Sequence, residues 1–390
     1  STYTGRAYVF YQDGSYPTAA ASADAIITGE TTSEYFGYSF AAGDFNTDGE
    51  TDIAIGAYRA TASVGRAYIF YNGSITTENA SGADIIITGE ASSRIGISLA
   101  AGDFNADGKT DLAAGAYNYS AAAGRTYIFY NGSIITEDAS GADIIISGEG
   151  GSSFGMALAT GDFNADGKTD LAVGASASST STGRTYIFYN GSIITEAATG
   201  ADVIIQGEAT TNYFGRALSS GDLNADGKTD LVVGSYGYST NTGRTYIFYS
   251  GSITTENASG ADVIIQGEAS GAFGWAFATG DFNADGKTDL AAGGYATGLA
   301  YVFHNDGSIP TTAATADIRV ADTANDIGTA LVAGDFNTDG RIDLVMGDPS
   351  STGKIYFYET RENFAWQVQP VSGLRTSPNF SGQEMKITGE

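Results

Sequence analysis

Six times along its 390 residues the chain repeats Asp-x-Asn-x-Asp-Gly-x-x-Asp, a spacing of oxygen donors suited to wrapping a hard cation. Numbered from the first Asp, positions 1, 3, 5 and 9 supply side-chain oxygens. These are Asp44, Asn46, Asp48 and Asp52 in the first loop, and Asp103, Asn105, Asp107 and Asp111 in the second. The third holds Asp162, Asn164, Asp166 and Asp170; the fourth, Asp222, Asn224, Asp226 and Asp230. Asp281, Asn283, Asp285 and Asp289 follow, then Asp335, Asn337, Asp339 and Asp343. Position 7 needs only its backbone carbonyl, and there stand Glu50, Lys109, Lys168, Lys228, Lys287 and Arg341. Gly at position 6 permits the sharp turn.

Oxygen-only donors select Ca²⁺; Mg²⁺ demands tighter octahedral geometry and keeps more of its water. Position 12, where an EF-hand places a bidentate Glu, is small or apolar: Ile55, Ala114, Val173, Val233, Ala292 and Met346. The loop therefore leads into a strand, as a calcium-binding hairpin. One copy would read as an ordinary polar turn. Six copies with carboxylates at positions 1, 5 and 9 favour a cation, and about six structural Ca²⁺ ions are expected.

The loops recur at intervals of 59, 59, 60, 59 and 54 residues, inside a longer repeat. Each unit opens on Phe-Gly or Ile-Gly (Phe36-Gly37 to Ile327-Gly328), then runs through small residues into the acidic loop. Asp-Leu-Ala-x-Gly-Ala, Gly-Arg-Thr-Tyr-Ile-Phe-Tyr and Ala-Asp-x-Ile-Ile-x-Gly-Glu follow, as at 170–175, 183–189 and 201–208. Four short runs rich in Ile, Val, Tyr and Phe, cut by Gly, Asn, Asp and Ser, read as four strands. No stretch has useful helical periodicity. Four strands per unit of ~60 residues describe one blade of a β-propeller. The third and fourth runs are apolar on consecutive residues, which predicts burial on both faces. The first, full of Ala, Gly and Ser, suits the crowded innermost position.

The prediction is an all-β chain forming a single propeller over 1–390. It comprises a half-blade at 1–34 and repeats at 35–93, 94–152, 153–212, 213–271, 272–326 and 327–390. Residues 1–34 hold only third and fourth strands, and Ser381–Glu390 matches a fourth strand. That gives 26 strands where seven blades need 28, so either a segment lies outside the chain or 364–371 supplies a strand. Seven blades with the half-blade in the seam is preferred, and six is the alternative.

The Phe-Gly start, the acidic loop and the Gly-Ala finish resemble the FG-GAP repeat of integrin α-subunit heads. Similar repeats occur in bacterial and fungal propellers, fungal lectins among them. The likeness covers nearly the whole chain except about 359–380. It implies that the calcium loop joins first and second strands on the lower face, in a mainly structural role. The Pro of the family's Gly-Ala-Pro survives only as Gly347-Asp348-Pro349, which leaves the loop after the second strand uncertain.

With those loops below, the second-to-third and fourth-to-first connections lie on the upper face, where the units differ most. They include Tyr58-Arg59, Tyr117-Asn118-Tyr119, Tyr236-Gly237-Tyr238 and Tyr295, and also Glu34-Tyr35, Arg94 and Asn212-Tyr213. Tyr beside Asn, Ser and Thr suits protein or sugar recognition; the plainer reading is rim aromatics covering strand ends. Arg216 and Trp275, just after Phe-Gly, could mark one asymmetric site or mere packing variation. His304 replaces the Tyr that ends other third strands, a rim substitution. Seven Asn-x-Ser sequons, Asn72, Asn131, Asn190 and Asn257 among them, come mostly from copying one hairpin loop.

Composition narrows the rest. Lys and Arg number 18 against 45 Asp and Glu, a net charge of −27 that argues against nucleic acid and anionic membrane surfaces. No apolar run approaches the ~18 residues of a membrane span. Without Cys there are no disulfides and no thiol chemistry, and with 1 His most acid–base relays are gone. No asymmetric catalytic set is visible, so a non-enzyme is expected. Ser1 opens without a basic-then-apolar leader, and any signal peptide is expected to have been removed. The expected role is a secreted or cell-surface calcium-binding adhesion, matrix or assembly module. It would bind a protein or glycan through the upper loops or assemble with itself; the alternative is a lectin with Tyr-rich loops.

Overall fold

A computed structural model describes residues 3–11, 19–321, 327–349 and 354–359, together with backbone strands Val368–Pro370, Thr376–Ser381 and Glu384–Gly389. It shows seven small, mostly antiparallel sheets arranged as a seven-bladed β-propeller. The second full blade illustrates the plan. Its strands Ser98–Gly102, Asp111–Ala116, Arg125–Phe129 and Ile144–Ser147 pair antiparallel in that order. The Gly-rich first strands pack against one another from blade to blade, from Ser39–Gly43 round to Ala330–Gly334. Small side chains are needed where six strands converge.

Burial refines the expectation from the sequence. The second and third strands are covered on both faces: every residue of Asp111–Ala116 and Asp170–Ala175 is buried, as are the last four of each Arg-x-Tyr-Ile-Phe strand. The fourth strand alternates between buried and half-buried residues, as in Ile85–Thr88. Its consecutive apolar residues do not produce two buried faces, because it lies towards the outer edge.

That edge is not left bare. Glu137–Asp138, from the hairpin between third and fourth strands, pairs in parallel with Ile87–Thr88 of the preceding blade. The same strap joins Glu78–Asn79 to the half-blade, Glu196–Ala197 to Ile146–Ser147, and Glu256–Asn257 to Ile205–Gln206. The half-blade pairs Arg6–Val9 with Ala25–Thr28.

The last unit departs from the expected layout. Ser381–Glu390 matches a fourth strand in sequence, yet Val368–Pro370, within the expected alternative 364–371, occupies that place beside Lys354–Tyr358. Glu384–Gly389 instead pairs in parallel with Ile318–Ala321 of the blade before. This unit lacks the Thr-Glu strap sequence found at 77–78, 136–137, 195–196 and 255–256, and the longer strand takes the strap's position. Glu390 lies outside the described residues.

Candidate metal centre and ligand face

All six acidic loops fold alike. In the second, the Asp107 backbone N–H donates to Asp103 Oδ1 at 3.0 Å and to Asn105 Oδ1 at 2.9 Å. Gly108 N donates to Asp103 Oδ2 at 2.8 Å, and Lys109 N to Asp107 Oδ1 at 3.0 Å. One turn thus gathers the oxygens of positions 1, 3 and 5. Gly108 holds φ +83°, the left-handed region where a side chain is strained.

Position 9 is placed differently. Asp111 is buried, and its two oxygens accept from Phe104 N at 2.9 Å and Asn131 N at 2.8 Å. Burial, opposed by those two amides and reinforced by the charges of Asp107 and Asp103, pushes its pKa up to about 6. Asp170, Asp230 and Asp289 are likewise raised to about 6, with burial the leading cause. Among the described residues no three Asp, Glu, His or Cys side chains already converge at metal-holding distance. The donor chemistry nevertheless fits a hard cation: positions 1, 3 and 5 offer oxygens beside one turn. A cation there would offset the repulsion from Asp107 and Asp103 that adds to the effect of burial at position 9.

Successive loops are tied together. Asn131 Nδ2 donates to the carbonyl of Asp44, the first residue of the preceding loop, at 2.7 Å, and to Thr110 O at 3.1 Å. Asn190 does the same to Asp103 O at 2.7 Å. These two sequon amides are buried and spent on backbone carbonyls. His304 keeps the backbone role of the Tyr it replaces: its N–H donates to Asp317 as Tyr130 N–H does to Asp143.

A second repeated contact escaped the sequence reading. In four copies the Glu that closes a fourth strand reaches Arg and Tyr of the next unit's third strand. Arg125 Nη1 lies 2.6 Å from Glu90, and Tyr127 Oη donates to the same carboxylate at 2.9 Å. Arg66–Glu30 and Arg244–Glu208, both at 2.8 Å, repeat it, and Arg184–Glu149 at 2.6 Å is a further copy. Where Leu299 replaces the Arg, Arg319 from the fourth strand reaches Glu268 at 2.8 Å.

The variable loops are not uniform. Tyr213 stacks on Tyr236 with centroids 5.0 Å apart; Tyr236 meets Trp275 edge-on at 5.0 Å; Trp275 contacts Tyr295 at 4.3 Å. The Arg216 guanidinium sits 4.5 Å from the Trp275 ring centroid. Residues from fourth-to-first and second-to-third loops of two units thus meet those following Phe-Gly. A second cluster joins Tyr3, Tyr35, Tyr58 and Tyr38, with Arg59 over Tyr35. Between them Arg94 bonds Tyr117, while Ser153 and Ser176 stand where the third unit could have carried aromatics. The second-to-third loops also contain three successive non-glycine residues with positive φ, as at Ser120-Ala121-Ala122.

Known proteins share this pattern. A model described as FG-GAP repeat matches residues 36–70, 95–129, 154–188 and 214–248, and one described as FG-GAP-like repeat matches 281–346. Phosphatidylinositol-glycan-specific phospholipase D of Bos taurus is 37% identical over 160 residues, 36% of this chain and 19% of that protein. Integrin alpha-PS2 of Drosophila melanogaster is 35% identical over 242 residues, 57% of this chain and 16% of the integrin. Integrin alpha-5 of Xenopus laevis is 29% identical over 226 residues, 53% of this chain and 20% of that one. This chain therefore spans only a small part of each relative's length. Five matched segments, each opening on or enclosing the acidic loop, establish that the chain belongs to the FG-GAP repeat family.

Proposed function

We propose that this protein is an extracellular, calcium-loaded propeller domain that binds a protein ligand in adhesion, and that it is not itself a catalyst. The observation that carries the reading is the asymmetric group Tyr213, Arg216, Tyr236, Trp275 and Tyr295, whose Trp and Arg have no counterpart in the other units. A scaffold alone has no use for such asymmetry. Large amphipathic rings with a guanidinium over one face are the side chains that dominate protein recognition sites. The acidic loops, in this reading, each hold one Ca²⁺ through positions 1, 3, 5 and 9 and the carbonyl of position 7. A millimolar extracellular supply would fill sites of modest affinity.

The kinship with integrin α chains favours adhesion. Kinship with a phospholipase D covers 36% of this chain and 19% of that enzyme, and no catalytic role is transferred. The test is binding of the calcium-loaded protein to immobilised matrix-protein and glycan arrays, with Trp275→Ala and Arg216→Ala beside the wild type. Retention on protein spots, lost in both variants, is expected. Binding only to glycans, abolished by free sugar, would replace adhesion with a lectin; binding untouched by both substitutions would remove the site.

A further inference from the structure

The two ends of the blades differ in charge. Second-to-third loops bond to the fourth-to-first connections, Asn118 N to Ser93 O and Gly237 N to Asn212 O, both at 3.2 Å, so these two sets of loops share one end. The acidic hairpins between first and second strands lie at the other. At the shared end, the glutamates that close fourth strands are spent on arginines: Glu30, Glu90, Glu149, Glu208 and Glu268 each hold one at 2.6 or 2.8 Å. Glu34 accepts from the backbone amides of Glu30 and Thr31. Arg59, Arg94 and Arg216 stand at the same end, and among the described residues none of them forms an ion pair. In a chain with 45 Asp and Glu against 18 Lys and Arg, that is a local positive surplus.

Arg59 lies 5.3 Å from the Tyr35 ring centroid, and Arg94 is bonded to the Tyr117 hydroxyl, its Nε buried without an acceptor. The Arg216 guanidinium rests 4.5 Å from the Trp275 centroid; its nitrogens have no acceptor among the described residues, and none of them is closed off from solvent. A ring face holds a planar guanidinium while leaving its N–H edge available to an acceptor in the same plane. The backbone bends to place it: Arg216 N donates to Tyr213 O at 3.2 Å, whereas its counterpart Tyr38 N donates to Gly56 O at 3.1 Å. Gly237 makes room, standing where other units carry Arg59 and Asn118; a methyl there would come within 2.8 Å of the Tyr213 ring. Tyr236 therefore lies flat on Tyr213, 13° between planes, where Tyr58 tilts by 44° on Tyr35. Asn212, next to Tyr213, is 4% exposed and its Nδ2 has no acceptor, a second unspent donor at this corner.

Resting on the reading that the Trp275 group is the ligand site, we propose that its ligand is an acidic peptide segment. A carboxylate of Asp or Glu would lie in the plane of the Arg216 guanidinium, where two charge-assisted N–H···O bonds form at once. An apolar residue beside it in the ligand would rest on Tyr295, which is 36% exposed. A lysine or arginine at the same place would meet like charge, and an amide would give neutral hydrogen bonds of about half the strength. Glu208 and Glu268, the clamp carboxylates before the two Phe-Gly turns, already hold Arg244 and Arg319 and so do not compete for Arg216.

The probe is an array of immobilised peptides Gly-Gly-x-Phe-Gly-Gly, with Asp, Glu, Asn, Gln, Lys or Arg at x, over which the calcium-loaded chain is passed. Asp and Glu spots should retain it about tenfold or more better than Asn and Gln spots, and Lys and Arg spots least. Arg216→Glu should reverse that order in favour of the basic spots. Arg216→Lys keeps the charge but loses the planar fork, and should weaken retention on the acidic spots. Both variants should melt with the wild type, since Arg216 makes no ion pair among the described residues. Equal retention on acidic and amide spots, lost in Trp275→Ala, overturns the acidic ligand and leaves the ligand site standing. Retention indifferent to Trp275→Ala removes the site itself. Absence of retention on every acidic spot overturns the proposal. So does retention confined to sulfated-glycan spots on the same array and abolished by Arg216→Glu, since the anion would then belong to a polysaccharide.

Discussion

The acidic loops and the aromatic loops occupy the same repeat, were copied together, and have diverged very differently. Every acidic loop keeps its Asp, Asn and Gly and the same turn hydrogen bonds, down to Gly340 N on Asp335 Oδ2 at 2.9 Å. Among the aromatic loops, one pair of units builds a Trp–Tyr–Arg cluster, another a stack of tyrosines, and the third unit carries serines. Sameness follows where each copy has the same neighbours to hold. Divergence is tolerated where the neighbour is solvent or a ligand.

The largest effect should come from removing the cation. A site with free ligand at 100 times its dissociation constant adds about 2.7 kcal/mol, against a total stability of roughly 5–15 kcal/mol. Chelation with EGTA should lower the melting temperature strongly, and calorimetry should count close to six sites per chain. An unmoved melting curve would leave the loops as plain turns.

Next in size is the clamp between units. Glu90→Ala leaves the Arg125 guanidinium and the Tyr127 hydroxyl with their shared partner gone, and should cost about 2–4 kcal/mol in urea unfolding. Glu90→Gln, which keeps a hydrogen-bond acceptor, should cost less. Equal losses for the two would show that charge alone holds the contact.

Alkali probes the same contact from the Tyr side. Burial, with the Glu90 carboxylate adding to it, holds the Tyr127 phenol well above its ordinary value. Burial alone leads at Tyr301, which is pushed up to about 12. A folded-state pKa raised above the unfolded one means stability that is complete below pH ~10 and declines as pH climbs from there towards the folded values. Spectrophotometric titration should therefore find the clamp tyrosines ionising only with unfolding.

The smallest effect is expected in the aromatic loops themselves. Ala121 sits at φ 56° in the middle of a left-handed run. An L-residue there costs roughly 1–2 kcal/mol that glycine avoids, less the glycine's own loss of chain entropy. Ala121→Gly should raise the melting temperature slightly, in contrast to any substitution in the acidic loops.

The architecture was legible because it is written six times: Phe-Gly, the acidic nonapeptide and the Tyr-Ile-Phe run fixed the period and the blade. What stayed hidden lies across unit boundaries. Glu90 and Tyr127 are 37 residues apart, and nothing in a spacing of that kind announces a contact. The sequence placed Asp111 with the loop ligands, whereas the fold also uses it to anchor Phe104 and Asn131. Two apolar runs looked equally buried because hydrophobicity records how sticky a strand is, and says little about which neighbour covers it. The final unit misled for a related reason: Ser381–Glu390 has fourth-strand residues, but position in the sheet went to Val368–Pro370.

The Glu–Arg–Tyr clamp is directional, with the tail of one unit gripping the head of the next. Contacts of that kind are heterologous, and heterologous contacts can propagate indefinitely or close into a ring, depending only on the rotation between neighbours. Here the bonding rule is the same in all four copies of the clamp, so the clamp has no way to count. The number of blades must therefore be set by the wedge shape of each unit, by the Ala and Gly of the first strand against the Tyr and Phe of the third. A programme of substitutions that enlarged the inner strands should open the ring's curvature and change its membership while leaving every clamp intact.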